Sequence, residues 1–396
     1  MPHTEIGGNP QFAICIFHTR KERESMKEKL IGAAILAMFS GMAHAQSSVT
    51  LYGSIDTGLL YQSKGVTPAG NAGGAVFQVK DAGDLPSFWG IKGTEDLGNG
   101  YHANFKMQGV FVSTSGGFGL PGVAGQTAIF NQCAQIGLSG PFGSLDAGRQ
   151  FAPMILAMVD TDVRGGSYFG SIASAWLSLN AVANWHPTSN NVPLGALYDS
   201  NALVYRTPKL YGASLALEYA PGGIAGEPQG GTRESAVLTY SNSVLNLAAA
   251  YYNGHDANPL PANVPTGLNN NRFYYLGTMF TFGAVSVSAS YSLGKNPSDS
   301  AQADYELIST GAAYRFSSIL RISSGFYYLR DKNNSTNHSS LFSLGLEYNV
   351  SKRTLLYAEA GYVANHGNMD QFVEYGTPVA PGVSTTTAVL GIRHAF

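Results

Sequence analysis

The sequence predicts an all-β membrane protein, a sixteen-stranded antiparallel transmembrane β-barrel with one long loop folded into its lumen. Three observations carry this reading. Apolar and small polar residues alternate with period two in pieces of about ten residues along most of the chain, the spacing of strands with two unlike faces. Only 12% of the 396 residues are charged, about half the share of an average soluble domain, yet no apolar run reaches the ~18 residues of a membrane helix. The chain also ends on an alternating strand: Ala388, Leu390, Ile392 and Phe396 share one face and Thr387, Gly391 and Arg393 the other. A membrane barrel must close on its first strand, and a terminal strand with an aromatic last residue fits that closure.

The N-terminus lies apart from the barrel. Met26 to Lys29 form a charged segment, Leu30 to Phe39 an apolar one, and Ala43-His44-Ala45 a small-residue cleavage site, the three parts of a secretory signal peptide. Residues 26–45 are therefore expected to be removed, with the barrel domain spanning 46–396. Residues 1–25 precede this signal and are expected to be a misassigned upstream extension, with Met26 the true start. Cys15 falls in that extension, so the mature chain keeps Cys133 alone and forms no internal disulfide. It also carries 18 basic against 21 acidic residues, which gives no basic surface for nucleic acid.

The predicted strands run over 48–61, 85–94, 101–113, 127–139, 144–150, 200–206, 212–220, 233–241, 244–253, 272–282, 284–293, 304–316, 319–330, 339–350, 354–364 and 385–396. The alternation is plainest in the eleventh, where Val285, Val287, Ala289, Tyr291 and Leu293 oppose Ser286, Ser288, Ser290 and Ser292. A soluble sandwich alternates too. Here, however, the polar face is Ser, Thr, Gly and Ala rather than charge, and aromatics gather near strand ends as they do at membrane interfaces. Short turns such as Pro141-Phe142-Gly143, Ser241-Asn242-Ser243, Phe282-Gly283 and Ser317-Ser318 mark one end of the barrel, where Gly, Asn and Ser supply tight reversals. The other end has long loops. The longest, 151–199, is read as a structureless segment turned inward to narrow the lumen, since loops of that length are usually functional.

Several blocks resemble the Gram-negative general porins, a trimeric sixteen-stranded family. They are Ser48-Val49-Thr50-Leu51-Tyr52-Gly53-Ser54-Ile55-Asp56, Gly90 to Gly100 (GIKGTEDLGNG), Ile136-Gly137-Leu138 with Phe142-Gly143 and Gly148-Arg149-Gln150, and the terminal Arg393-His394-Ala395-Phe396. The resemblance implies a homotrimer with water-filled pores in the outer-membrane lipid, constricted by the loop after Gln150, with Phe396 as an assembly signal. The chain departs from the family's pattern at Phe88 and Gln132, where Arg is usual, and at Gln108, where Glu is common. With two wall arginines missing and a slightly negative mature chain, weak or cation-leaning selectivity is expected.

Selectivity in a pore comes from its width and from charges at the constriction. On the loop, Asp160, Asp162 and Arg164 are spaced so that their charges can converge. On the wall, strand parity turns Asp56, Lys92, Lys106, Arg206 and Glu218 inward. Arg149 has outward parity and reaches the lumen only if a bulge near Gly148 redirects it. Arg321 and Arg393 lie beside a short turn and the C-terminus, near the periplasmic mouth. Trp176 and Trp185 are expected to pack the loop against the wall.

Catalytic and cofactor patterns are weak. There is no H-E-x-x-H or G-x-S-x-G, and Gly117 to Gly122 matches G-x-G-x-x-G only within a Gly-rich loop. The histidines lack metal-ligand spacing. No enzyme, metal or cofactor is expected. The function expected is passive diffusion of small hydrophilic solutes and ions; the alternatives are a plugged barrel acting as an adhesin or binding module, and an outer-membrane enzyme.

Overall fold

The computed structural model describes residues 48–119, 128–183, 194–255, 270–296 and 303–396. The readings of residues 1–25 and 26–45, and of Trp185, lie outside these.

In chain order the strands are β1 (Ser48–Gln62), β2 (Val76–Asp81), β3 (Phe88–Gly98), β4 (Tyr101–Val110), β5 (Cys133–Gly140), β6 (Gly143–Phe151), β7 (Tyr198–Arg206), β8 (Ala213–Ala220), β9 (Arg233–Ser241), β10 (Leu245–His255), β11 (Asn270–Phe282), β12 (Val285–Lys295), β13 (Asp304–Arg315), β14 (Leu320–Asp331), β15 (His338–Asn349), β16 (Thr354–His366) and β17 (Thr385–Ala395). All belong to one antiparallel sheet of sequential neighbours. The sheet closes because β1 pairs with β17, from Ser54 opposite Ala395 to Gln62 opposite Thr387. The terminal residue joins the seam: the Phe396 N–H donates to the Gly53 carbonyl at 3.0 Å and the Gly53 N–H to the Phe396 carbonyl at 3.3 Å. The seam uses Ser54–Gln62 rather than the first residues of β1 because strands in a tilted barrel are staggered.

Among the described residues seventeen strands fill sixteen wall positions. On its other edge β1 pairs with β3 through Ser48–Ser54 and with β2 through Thr57–Gln62. β2 and β3 are thus one wall strand, interrupted by Ala82–Ser87. The predicted second strand, 85–94, captured its lower half alone. At the break Ala82 has φ 63°, and Asp56 on β1 holds the excursion, accepting the backbone N–H of Leu85 at 2.9 Å and of Asp84 at 3.2 Å. β4 ends at Val110 rather than at residue 113, because the chain beyond it bonds to this excursion. The Phe111 N–H donates to the Ser87 carbonyl and the Ser113 N–H to Asp81 Oδ1, at 3.0 and 2.8 Å.

The alternation places apolar side chains outside. Val49, Leu51, Phe77, Ile136, Leu276 and Leu390 are all exposed, a cost in water and a fit to lipid. An eleven-residue strand rising ~3.3 Å per residue at a tilt of roughly 45° spans about 25 Å, the height of the apolar band of such barrels. Exposed Tyr101, Phe142, Phe282, Phe316 and Tyr348 ring the short-turn end, where an interfacial aromatic girdle belongs. The buried core is inside the barrel, between the wall and the segment joining β6 to β7.

Candidate functional site

That segment is turned inward as expected, but it is not structureless. It contains α1 (Pro153–Asp160) and α2 (Ile172–Val182). Pro153 opens α1, where its missing N–H costs nothing. Ser171 caps α2, with its hydroxyl accepting from the backbone of Ala173 and Ser174 and the Ser174 hydroxyl accepting from the Ser171 N–H, a reciprocal cap. Both helices press on one side of the wall. Met154, Ile155, Met158, Phe169, Ile172, Trp176 and Leu179 are buried in one cluster with Tyr252, Phe273, Leu307, Tyr327 and Leu341 of the strands. At ~1.5–3 kcal/mol per large side chain, these seven contribute roughly 10–20 kcal/mol as an upper estimate. Trp176 acts as the expected packing group; its indole N–H donates to the Leu194 carbonyl at 2.9 Å.

Polar bonds fix the register of this seat. Arg164 is buried. Its guanidinium donates to Glu359 on β16 at 2.9 Å, to the Phe169 and Gly170 carbonyls at 2.7 and 2.8 Å, and to Ser323 on β14 at 3.0 Å. Burial opposes its charge, but Glu359, Tyr327 and Asp162 together outweigh this and hold its pKa above the ordinary value. Asp162 is buried beside it and accepts the Tyr327 hydroxyl at 3.0 Å and the Arg164 N–H at 2.6 Å. Burial pushes its carboxyl up to about 6 against the pull of these donors. The segment between β16 and β17 also folds in and latches the loop, with Gly170 donating to Val373 and Tyr375 to Tyr168 at 2.8 and 3.0 Å. Within it Glu374 is fully buried 3.5 Å from Lys80; burial raises its pKa far above the usual carboxylate range, with Lys80 opposing.

The three loop candidates therefore separate. Asp162 and Arg164 fasten the loop to the wall, while Asp160, at the end of α1, stays exposed. The side of α1 away from the wall also shows Leu156, 41% exposed, so the loop presents more apolar surface to the lumen than its charges suggest. The spacing of these residues showed that they could converge, but their partners on β14 and β16 lie more than 150 residues away, beyond any local pattern.

The wall candidates fall into two groups. Arg206 pairs with Asp146 at 2.8 Å. Asp199 pairs with Arg233 at 3.1 Å and accepts the Tyr252 hydroxyl at 3.0 Å, with buried Glu218 nearby. Asp56 is buried in its structural role at the β2–β3 break. Lys92 and Lys106 differ. They stand directly opposite each other on β3 and β4, Lys92 over the Tyr52 ring at 5.1 Å and Lys106 over the Phe151 ring at 5.7 Å. Neither has a carboxylate within ion-pair distance among the described residues. Arg149 joins this side of the wall. Gly148 has φ 122° and the pairing with β7 slips between Gly148 and Gln150. The resulting bulge lays the guanidinium over the Tyr198 ring at 5.3 Å, bonded to the Asn131 carbonyl and the Ser200 hydroxyl at 2.6 and 2.7 Å.

Sequence parity missed further contacts. Arg321 pairs with Glu347 and also donates to the Val163 carbonyl of the loop; Arg393 pairs with Asp84 of the β2–β3 break. Both reach from their strands to infolded segments. Among the described residues no group of three potential metal ligands comes together.

The comparisons agree with this geometry. A family model for Gram-negative porins matches residues 32–368. Outer membrane porin protein 32 of Delftia acidovorans is 27% identical over 94% of this chain and all of its own, and a major outer membrane protein P.IB of Neisseria gonorrhoeae is 27% identical over the same shares. The solved anion-selective porin from Comamonas acidovorans superposes with a TM-score of 0.73 at 23% identity, covering 89% of this chain and all of that one. OmpT of Vibrio cholerae, solved in a trimer form, follows at TM-score 0.61 and 14% identity, covering 88% of this chain and 99% of its own. A closed sixteen-position barrel with an inward loop, matched along its length by outer-membrane porins, identifies the chain as a member of the Gram-negative porin family, a channel of the outer membrane for passive diffusion.

Proposed function

We propose that this porin leans toward anions and works as a homotrimer passing small hydrophilic solutes and ions through a lumen constricted at the α1–α2 loop. One observation carries the anion preference: the opposed, unpaired Lys92 and Lys106. Like charges directly across a strand pair repel; the rings beneath them offset part of this, and an anion between them offsets more. The acids nearby are differently placed. Asp146, Asp199 and Glu359 are each tied to an arginine, Asp162 is buried, and Asp160 is left exposed on the loop. This reading departs from the expected weak or cation-leaning selectivity, which rested on Phe88 and Gln132 in place of arginines and on the net charge, without knowing which charges were paired.

A unit charge about 6 Å from a permeating ion is worth about 0.7 kcal/mol in water-like surroundings. Two lysines that attract chloride and repel potassium, screened by salt, then favour chloride roughly ten-fold at ~0.1 M and roughly two-fold at ~1 M. The zero-current potential under a KCl gradient tests this; a potassium preference sinks it. The trimer draws on OmpT's solved trimer form and is read by native mass measurement in detergent. Removal of residues 26–45, with Gln46 as the new N-terminus, is read by N-terminal sequencing. A mature peptide containing Glu22 or Glu24 would contradict both that cleavage and the start at Met26.

A further inference from the structure

The lumen of this channel contains a cavity unlike a simple aqueous pore. It measures ≈ 220 Å³ and lies between the basic side of the wall and the infolded loop. Phe88, Phe151 and Tyr198 line it from the wall, and Leu156 and Val159 from α1. Leu156, 41% exposed, marks its open side. An apolar cavity of roughly 150 Å³ holds one benzene ring, so this one accommodates a single ring with a small substituent.

Its polar floor is neutral and ordered. The Tyr52 hydroxyl donates to Gln108 Oε1 at 2.8 Å, Gln108 Nε2 donates to Gln132 Oε1, and Gln132 Nε2 donates to the Tyr198 hydroxyl at 2.7 Å. Because every bond runs in one direction, the chain ends on a Tyr198 hydroxyl that accepts and has its own proton left to give. Phe88, Gln108 and Gln132, set apart as unusual in the sequence, therefore converge on one place. Three cations lie over rings of this assembly: Lys92 over Tyr52, Lys106 over Phe151 and Arg149 over Tyr198, the last two rings lining the cavity.

The geometry points to a selective subsite for single-ring aromatic carboxylates, with the ring held between Phe88, Tyr198 and Leu156 and the carboxylate facing Tyr198 and the lysines. It builds on the anion-leaning reading above. An acid without a ring gains the cations but leaves the apolar walls wet; a neutral ring gains the walls but not the cations. Both parts together convert passive diffusion into diffusion with a saturable site.

The test uses trimers purified from the outer membrane, in planar bilayers with KCl, each trace scaled to its own KCl conductance. Sodium benzoate is expected to reduce the current saturably at millimolar concentration, with sodium acetate needing roughly ten-fold more, the factor that a half-buried apolar side chain supplies, and benzyl alcohol, which keeps the ring and lacks the charge, several-fold more. Leu156→Ser raises the half-blocking benzoate concentration several-fold and leaves acetate unchanged; Lys106→Gln weakens benzoate and leaves benzyl alcohol unchanged. Equal effects of benzoate and acetate in the unaltered protein, or benzoate block indifferent to Leu156→Ser, overturn the subsite. The zero-current potential of the same preparations separates the two readings. Chloride preference without benzoate block removes the subsite alone; benzoate block sensitive to Leu156→Ser without chloride preference removes the general anion preference alone.

Discussion

Replacing Arg164 by Met isolates what fixes the loop in the lumen. The side chain makes four hydrogen bonds, to Glu359, Ser323 and the carbonyls of Phe169 and Gly170, at 2.7 to 3.0 Å. Methionine keeps much of the apolar stem and removes every donor. Glu359 then stays buried without its counter-charge, and breaking a buried ion pair in this way typically costs about 3–5 kcal/mol. The apolar packing of α1 and α2 contributes several times that, so the loop does not leave the lumen and the barrel does not unfold. The segment Thr161–Ser171 loosens while the helices stay. Single-channel recording should show open-state noise increased several-fold and a higher mean conductance, and limited proteolysis should cut between α1 and α2 where the unaltered protein resists. Heat-modified electrophoretic mobility, which reports the barrel, should be unchanged. Adding Glu359→Gln to the same chain removes the stranded charge and should recover about half of the loss. A quiet, protease-resistant Arg164→Met channel would refute the assignment of Arg164 as the fastening group.

Other outcomes follow from the same geometry. Lys92→Gln with Lys106→Gln should remove the chloride preference, read as a zero-current potential moved to zero or toward potassium; an unchanged potential places the selectivity elsewhere. Deleting Phe396 removes two seam hydrogen bonds to Gly53 and should cut assembled trimer yield strongly while leaving the conductance of surviving channels intact; normal yield counts against its role in closure. Asp162 titrates near 6 when folded against 3.8 as an ordinary aspartate. The folded loop therefore holds the proton more tightly than the free chain does. Its stabilisation is complete below pH 4 and falls by on the order of 2–3 kcal/mol as the pH rises through about 6. Open-channel noise should accordingly be greater at pH 7.5 than at pH 5, and Asp162→Asn should abolish the difference.

The barrel was legible because lipid outside and water inside impose one rule on each strand. Ser286 to Ser292 against Val285 to Leu293 states that rule directly, and β12 runs Val285–Lys295. β2 escaped notice because Val76–Asp81 is six residues long and shares a wall position with β3, a division made by Ala82 and Asp56 and invisible to periodicity. The helices of the loop were missed for a different reason. Residues 153–159 are apolar all round, since α1 is covered by the wall on one side and borders the apolar cavity on the other; no amphipathic stripe results. The Ser171 and Ser174 pair of α2 was the available cue. Among site residues, parity turned Lys92 and Lys106 to the lumen, and Arg149 required the bulge at Gly148. What sequence lacked was pairing. Whether a lumen charge is free or spent on Glu359, 195 positions from Arg164, depends on closure of the whole sheet.

We propose a water-filled trimeric channel with a basic constriction. It is tested most directly by inserting the purified protein into a planar bilayer under a KCl gradient. Stepwise, ohmic conductance closing in groups of three, with a zero-current potential on the chloride side, is the predicted record. A silent membrane, single unlinked steps or a potassium-side potential would contradict it.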